Sequence, residues 1–440
     1  MIGSEYFLRL AAALFAAALL GVTIANPGAG KAYVRKAASI GVDTIPMTVR
    51  DCERGAPALK SPFAPISDIL SVSPLGVATA PGEQLPAPAI RLNTRKGRNA
   101  FERRTTAALA PAKADIIAIE RRTIRDEQGG AARESWSVRF AVCESVTVGY
   151  DDLDEIEPSI LKRAGGLAGF YEIGGPDHLA ARTLIRVRHG EKIGAADGFD
   201  VFLEDRAATP APLERPERYQ SDFYAEGAAI SAPPDVLRAI ASDASRLQCP
   251  LDYLPDQTAN EWKARLGDAW GMRRARGENA CRTALIDVPG TAQGAWFTDA
   301  SHNGRTSKVS AIALAPDAVD PARMIFALHG RVRSLTAEMI GLNPMLEQAR
   351  EAAARDFLTF DRQHGRINAA FDKVRPGETY CYEGLRANFV GPRINGVILL
   401  AIEQGSAAPL MRIEARGDVM RCIDLPEPWS FTGAQTTFYR

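Results

Sequence analysis

Trp136-Ser137-Val138-Arg139-Phe140-Ala141-Val142 is the stretch that decides the fold class. Its bulky apolar residues, Trp136, Val138, Phe140 and Val142, alternate with Ser137, Arg139 and Ala141, so an extended strand puts the four on one face. A helix would scatter them around its axis. Similar short apolar runs recur on both sides between turn residues: Ile66 to Val72, Ala89 to Leu92, Asp115 to Ile119, Val146 to Tyr150, Leu184 to Val187 and Phe199 to Leu203. The spacing predicts a mainly β chain whose first domain, residues 62–206, is mostly antiparallel.

Moving towards the C-terminus, the Pro-rich stretch from Ala208 to Tyr219 interrupts any ladder. Helical patterns follow over Asp235 to Leu247 and Ala259 to Leu266, so residues 207–280 read as a Pro-rich linker and helical bridge. Strand patterns return beyond Cys281, as in Gly294 to Phe297, Val309 to Leu314, Met324 to Leu328, Gly396 to Glu403 and Gln435 to Tyr439. One helix is expected from Asn343 to Asp356, where strong helix formers dominate. Residues 281–440 are therefore expected to form a second β-rich domain.

Moving towards the N-terminus, residues 26–61 read as an extended lead-in. Before them Arg9 precedes an uncharged run from Leu10 to Ala25, the pattern of a signal peptide or a short membrane anchor in residues 1–25. The run is shorter than the roughly 20 residues that span a bilayer with ease. Export fits the cysteines, which are even in number, widely spaced and all beyond this run: Cys52, Cys143, Cys249, Cys281, Cys381 and Cys422. In an oxidising compartment they are expected as disulfides, paired in sequential order. Lys plus Arg and Asp plus Glu are equal at 53 each over 440 residues, which gives no global field for nucleic acid. Membrane association is expected only through the N-terminal segment, if it is retained.

Four stretches of the first β domain, taken in order, resemble the lysostaphin-type (LytM-type) zinc endopeptidases, peptidase family M-twenty-three, built on a duplicated hybrid motif. They are Ser73-Pro74-Leu75-Gly76, Ala110 to Ile119, Tyr150-Asp151-Asp152-Leu153 and Arg188 to Gly194. The resemblance implies a lysostaphin-like antiparallel fold and a site where His and Asp would hold zinc with one open position for water. At the positions matching those ligands this chain has Glu83, Pro88, Asp152 and Asp200. Proline cannot ligate, and no expected histidine is present. The five histidines, His178, His189, His302, His329 and His364, have no metal-ligand spacing among themselves. The expectation is a peptidase-like fold without zinc, without another cofactor and without catalytic residues. Glu83, Asp152 and Asp200 would suit a hard cation if they converged, but solvated surface acids are the simpler reading.

In the C-terminal domain Gly294-Ala295-Trp296 opens a strand and Phe438-Tyr439-Arg440 closes the last one. The pair is similar to the floor of the calycin (lipocalin-like) barrels, in which a Trp from the first strand packs beneath an Arg from the last, and implies a barrel. Gly271 to Gly277 (GMRRARG) is a small basic loop able to hold phosphate or a glycan carboxylate, and Asp151 to Glu155 is an acidic run; both read most simply as solvated. Three functions remain in view. The first is an exported, non-catalytic cell-envelope protein binding peptidoglycan, a peptide or a protein partner. The second is a metalloendopeptidase with an atypical site, and the third a carrier of a small ligand in the C-terminal barrel.

Overall fold

A computed structural model describes residues 51–52, 58–76, 87–95, 104–124, 132–173, 175–213, 234–240, 242–276, 280–281, 287–300, 311–329, 358–387, 393–405 and 409–440. The N-terminal segment 1–25, the lead-in up to residue 50, Glu83, His302 and the helix expected at 343–356 lie outside the described residues. Among the described residues no helix is long and apolar enough to cross a membrane.

The chain is mainly β, with antiparallel sheets. Its first half supplies β1 (Ile69–Ser73), β2 (Ile90–Thr94), β3 (Thr106–Leu109), β4 (Ala114–Ile124), β5 (Arg133–Ala141), β6 (Val146–Leu153), β7 (Glu155–Ile156), β8 (Tyr171–Glu172), β9 (His178–Val187), β10 (Lys192–Ala196), β11 (Phe199–Asp205) and β12 (Leu247–Gln248). The large sheet runs β1-β2-β11-β6-β5-β4-β9-β8, with β12 also on β11, and a small sheet runs β3-β10-β7.

Residues 136, 138, 140 and 142 all enter one core, as the alternation predicts, together with Ile156, Ile193 and Ala196 of the small sheet. Tyr150 sits at its centre, with Phe140 and Phe199 at ring-centroid distances of 5.0 and 5.2 Å. Its hydroxyl avoids an unpaired burial by donating to the Leu109 carbonyl at 2.6 Å.

Within 207–280 the described residues hold two short helices. The expected helix over Asp235 to Leu247 is shorter, Pro234–Ile240. Asp243 accepts a bond from the Ser245 amide, starting a 3-10 turn at Ala244–Arg246, and Leu247 and Gln248 then join β11 as β12. The second expected helix begins and ends earlier, Asp256–Lys263, because Pro255 precedes it and Leu266 leaves it to bridge Val72 of β1. Trp262, 1 % exposed, lies edge-on to Phe63 in the first core.

The C-terminal half supplies β13 (Gly294–Phe297), β14 (Ala311–Pro316), β15 (Arg323–His329), β16 (Leu358–Asp361), β17 (Thr379–Tyr382), β18 (Arg386–Ala387), β19 (Val397–Gln404), β20 (Pro409–Arg416) and β21 (Thr436–Tyr439). Their order is β17-β19-β20-β21-β13-β14-β15-β16-β18. The outermost strands, β17 and β18, are consecutive in the chain, so the short turn between them draws the sheet edges together into a nearly closed barrel. Barrel closure removes exposed ladder groups that would otherwise invite pairing. Phe326, Phe360, Phe371 and Tyr382 pack together inside.

Three disulfides join Cys52 to Cys143, Cys249 to Cys281 and Cys381 to Cys422, the sequential pairing.

Candidate functional site

Asp152 and Asp200 come together on the large sheet. Strand β11 pairs with β2 on one side and β6 on the other, which sets Asp200 opposite both Arg91 and Asp151. Between β5 and β6 a bulge places Asp151 and Asp152 against Ser137 alone, and Asp152 takes a left-handed backbone with φ 65°. Bulges of this kind re-aim side chains. Here the carboxylate is turned onto Arg91, whose Nη2 lies 3.0 Å from Asp152 Oδ2 while Nη1 lies 3.1 Å from Asp200 Oδ2. Arg133 Nη1 adds a 2.7 Å contact to Asp152 Oδ1, and the Ser135 hydroxyl donates to the same oxygen at 3.3 Å.

Arg91 therefore stands where a shared cation would have to sit. Pro88 lies just before β2, beside this cluster in sequence, and its side chain offers no ligand atom. Among the described residues no three His, Cys, Asp or Glu side chains are grouped as a metal site.

The histidines are dispersed. His189 Nδ1 lies 3.1 Å from Ser61 Oγ. His178 Nε2 meets Glu120 Oε2 at 2.9 Å. His364 is exposed.

The Glu120–His178 contact belongs to a buried polar cluster that the sequence reading missed. Arg139 and Glu120 lie on the face of the large sheet opposite the first core, 3.8 Å apart. Arg139 is 6 % exposed, stacks 4.6 Å over the Phe202 ring, and has no hydrogen-bond partner at Nε or Nη1 among the described residues. Gly149 makes that stacking possible, since a Cβ there would overlap the Phe202 ring. Burial opposes ionisation of Glu120, but the His178 hydrogen bond and the Arg122 and Arg139 charges outweigh it and bring its pKa down to about 2. Burial pushes the neighbouring Asp151 and Glu204 carboxyls up. Arg139 is thus the counter-ion of a crowded acidic face. The only sequence signal was the set of polar residues alternating with the core residues of β5, which an ordinary strand exposes to water.

Arg440 lies 4.0 Å over the Trp296 ring on β13 of the barrel sheet. Its Nη2 donates to the Gln293 carbonyl at 2.7 Å and its Nη1 to the Thr291 carbonyl at 3.2 Å, while Trp296 Nε1 donates to the Ala292 carbonyl at 2.8 Å. The Arg–Trp contact implied by the Gly294-x-Trp296 pattern is present. Arg273, within the basic loop 271–277, bonds Asp268 and reaches Asp317 at 3.0 Å, which gives it a structural role.

Comparison with protein families, with curated proteins and with solved structures finds no match to this chain.

Proposed function

We propose that the chain is an exported, non-catalytic binding or scaffold protein of the cell envelope, whose first sheet is a lysostaphin-like fold without its metal. The observation that carries this reading is Arg91 bridging Asp152 and Asp200. Two of the positions corresponding to zinc ligands are neutralised from within by a guanidinium, which stays protonated at any physiological pH and supplies no open coordination position. Such a cluster serves recognition or packing better than hydrolysis. Three disulfides support an oxidising, exported environment. The ligand class in this reading is peptidoglycan, a peptide or a protein partner.

Co-sedimentation of the purified protein with peptidoglycan tests it directly, together with metal analysis and incubation with a cross-linked peptidoglycan peptide. Retention on the polymer without cleavage is the expected result. Stoichiometric zinc with cleavage of the peptide would replace this reading by that of an atypical metalloendopeptidase.

One observation favours a second reading, the carrier. The Tyr382 hydroxyl is buried inside the barrel with no hydrogen-bond partner among the described residues, as a group facing a small ligand would be. The mutual packing of Phe326, Phe360, Phe371 and Tyr382 weighs against it. Native mass spectrometry distinguishes the two, because a carrier would show a bound small molecule.

A further inference from the structure

Several large apolar side chains are exposed, Leu184 at 71 % and Ile423 at 75 % among them, and two more share one tight turn. Trp270 is 71 % exposed and Met272 72 % exposed, on either side of Gly271. Isolated exposed apolar residues are ordinary, but a tryptophan and a methionine together at one tip are not. The tip is also firmly held. Leu266 bridges Val72 on the edge strand β1, and Gly267 pairs with Arg274, which makes residues 266–275 a hairpin. The Ser71 hydroxyl donates to the Ala269 carbonyl at 3.2 Å. Asp268 accepts from the amides of Met272 and Arg273, and Arg273 is tied to Asp317 in the barrel half. Both apolar side chains are thus presented on a braced turn, with little ordering left to be done on contact.

The base of the same hairpin is cationic. Arg265 donates from Nη1 to the Ile69 carbonyl at 2.7 Å, and Arg95 follows Thr94, the register partner of Ile69. Arg274 is exposed on the returning arm. Burial and the nearby Arg95 and Arg274 charges push the Arg265 pKa down, with Glu261 as the opposing acid. Asp68 is engaged by Arg104 and Asp268 by Arg273. An apolar tip carrying Trp and Met near three neighbouring arginines has the layering of a lipid interface, where indole rings settle at the headgroup level and guanidinium groups reach anionic phosphates.

We propose that the 266–275 hairpin docks this protein on an anionic phospholipid surface, with Trp270 and Met272 entering the interface and Arg95, Arg265 and Arg274 facing the headgroups. This contact is separate from any anchoring by the N-terminal apolar run, and it does not depend on the reading of the first sheet as peptidase-like.

The test is sedimentation of the full chain with vesicles of phosphatidylglycerol and phosphatidylcholine, compared with vesicles of phosphatidylcholine alone. The exposed pair can be changed without touching the core, so W270S/M272S should keep the wild-type melting curve while lowering partition onto the anionic vesicles at least tenfold. R95Q/R274Q should lower it by about fivefold per arginine at low salt and have no effect on neutral vesicles. Bromine-labelled acyl chains should quench wild-type fluorescence more than that of Trp270→Phe. Equal partition of wild type and W270S/M272S, or no difference in quenching, would overturn the proposal, because the N-terminal run would then account for all binding. A self-association seen without vesicles and abolished by W270S/M272S would overturn it in favour of a second copy of the chain.

Discussion

The guanidinium of Arg440 lies 4.0 Å over the indole of Trp296, joining the end of the last strand of the barrel to β13. The contact combines a desolvated cation–π interaction with hydrogen bonds to the carbonyls of Thr291 and Gln293. Arg440→Ala should therefore cost roughly 2–4 kcal/mol, measured by urea unfolding. Arg440→Lys should recover only a minor part, because an ammonium cannot stack and fork at once. Gly294→Ala should be at least as harmful: φ is 141°, and a Cβ would overlap Asp287 Oδ1 and Arg440 Nη2.

Arg91 neutralises two carboxylates from separate strands, and all three groups are partly exposed. A double-mutant cycle on Arg91→Ala and Asp200→Asn should give a coupling of about 1 kcal/mol at low salt that fades in high salt. Asp152→Asn isolates the charge, since Asn tolerates the left-handed backbone at φ 65° as Asp does.

Stability should fall in acid through Glu120. Its folded pKa of about 2 is below the ordinary value of 4.5. A depressed carboxyl contributes stability that is complete above pH about 4.5 and is lost as pH falls towards about 2. Removing the charge with Glu120→Gln should cost about 3 kcal/mol at neutral pH, and the gap between variant and wild type should close over that acid window. Asp151 and Glu204, pushed up by burial, act in the opposite direction: each favours folding when protonated and opposes it as pH rises. Chemical denaturation from pH 7 down to pH 2 reads both trends.

The disulfides differ in the length of chain they close: the sequence separations are 91 for Cys52–Cys143, 32 for Cys249–Cys281 and 41 for Cys381–Cys422. On the chain-entropy account, removing the first should cost roughly 4–5 kcal/mol and either of the others slightly under 4. Paired Cys→Ser variants compared by denaturant midpoint check the order. Equal losses would point to native-state strain or residual structure in the unfolded chain.

Much of the fold was legible in sequence where the signal is local. The alternation of Trp136, Val138, Phe140 and Val142 named the buried face of β5, because a strand has a fixed period of two. The Gly294-x-Trp296 and Arg440 pattern named a contact that the barrel sheet makes. Helix ends were less legible: Leu247 and Leu266 leave helical patterns because β11 and β1 offer them ladder partners, which no local window contains. The candidate site was legible only in part. Asp152 and Asp200 were named, but Arg91, which binds both, was not, and Glu83 lies outside the described residues.

By itself, then, the sequence determined the mainly β class, the faces of its strands and the cysteine set available for bridging. These follow from side-chain periodicity and composition, which are properties of neighbours in the chain. Only the tertiary structure decided that Arg91 closes on Asp152 and Asp200, that the polar face of β5 is buried around Glu120 and Arg139, and that Trp270 and Met272 stand out on a braced hairpin. Those depend on strand register and on packing between segments tens to hundreds of residues apart. Charge and burial at such places are set by what the fold brings alongside, and one strand read alone does not contain its partner.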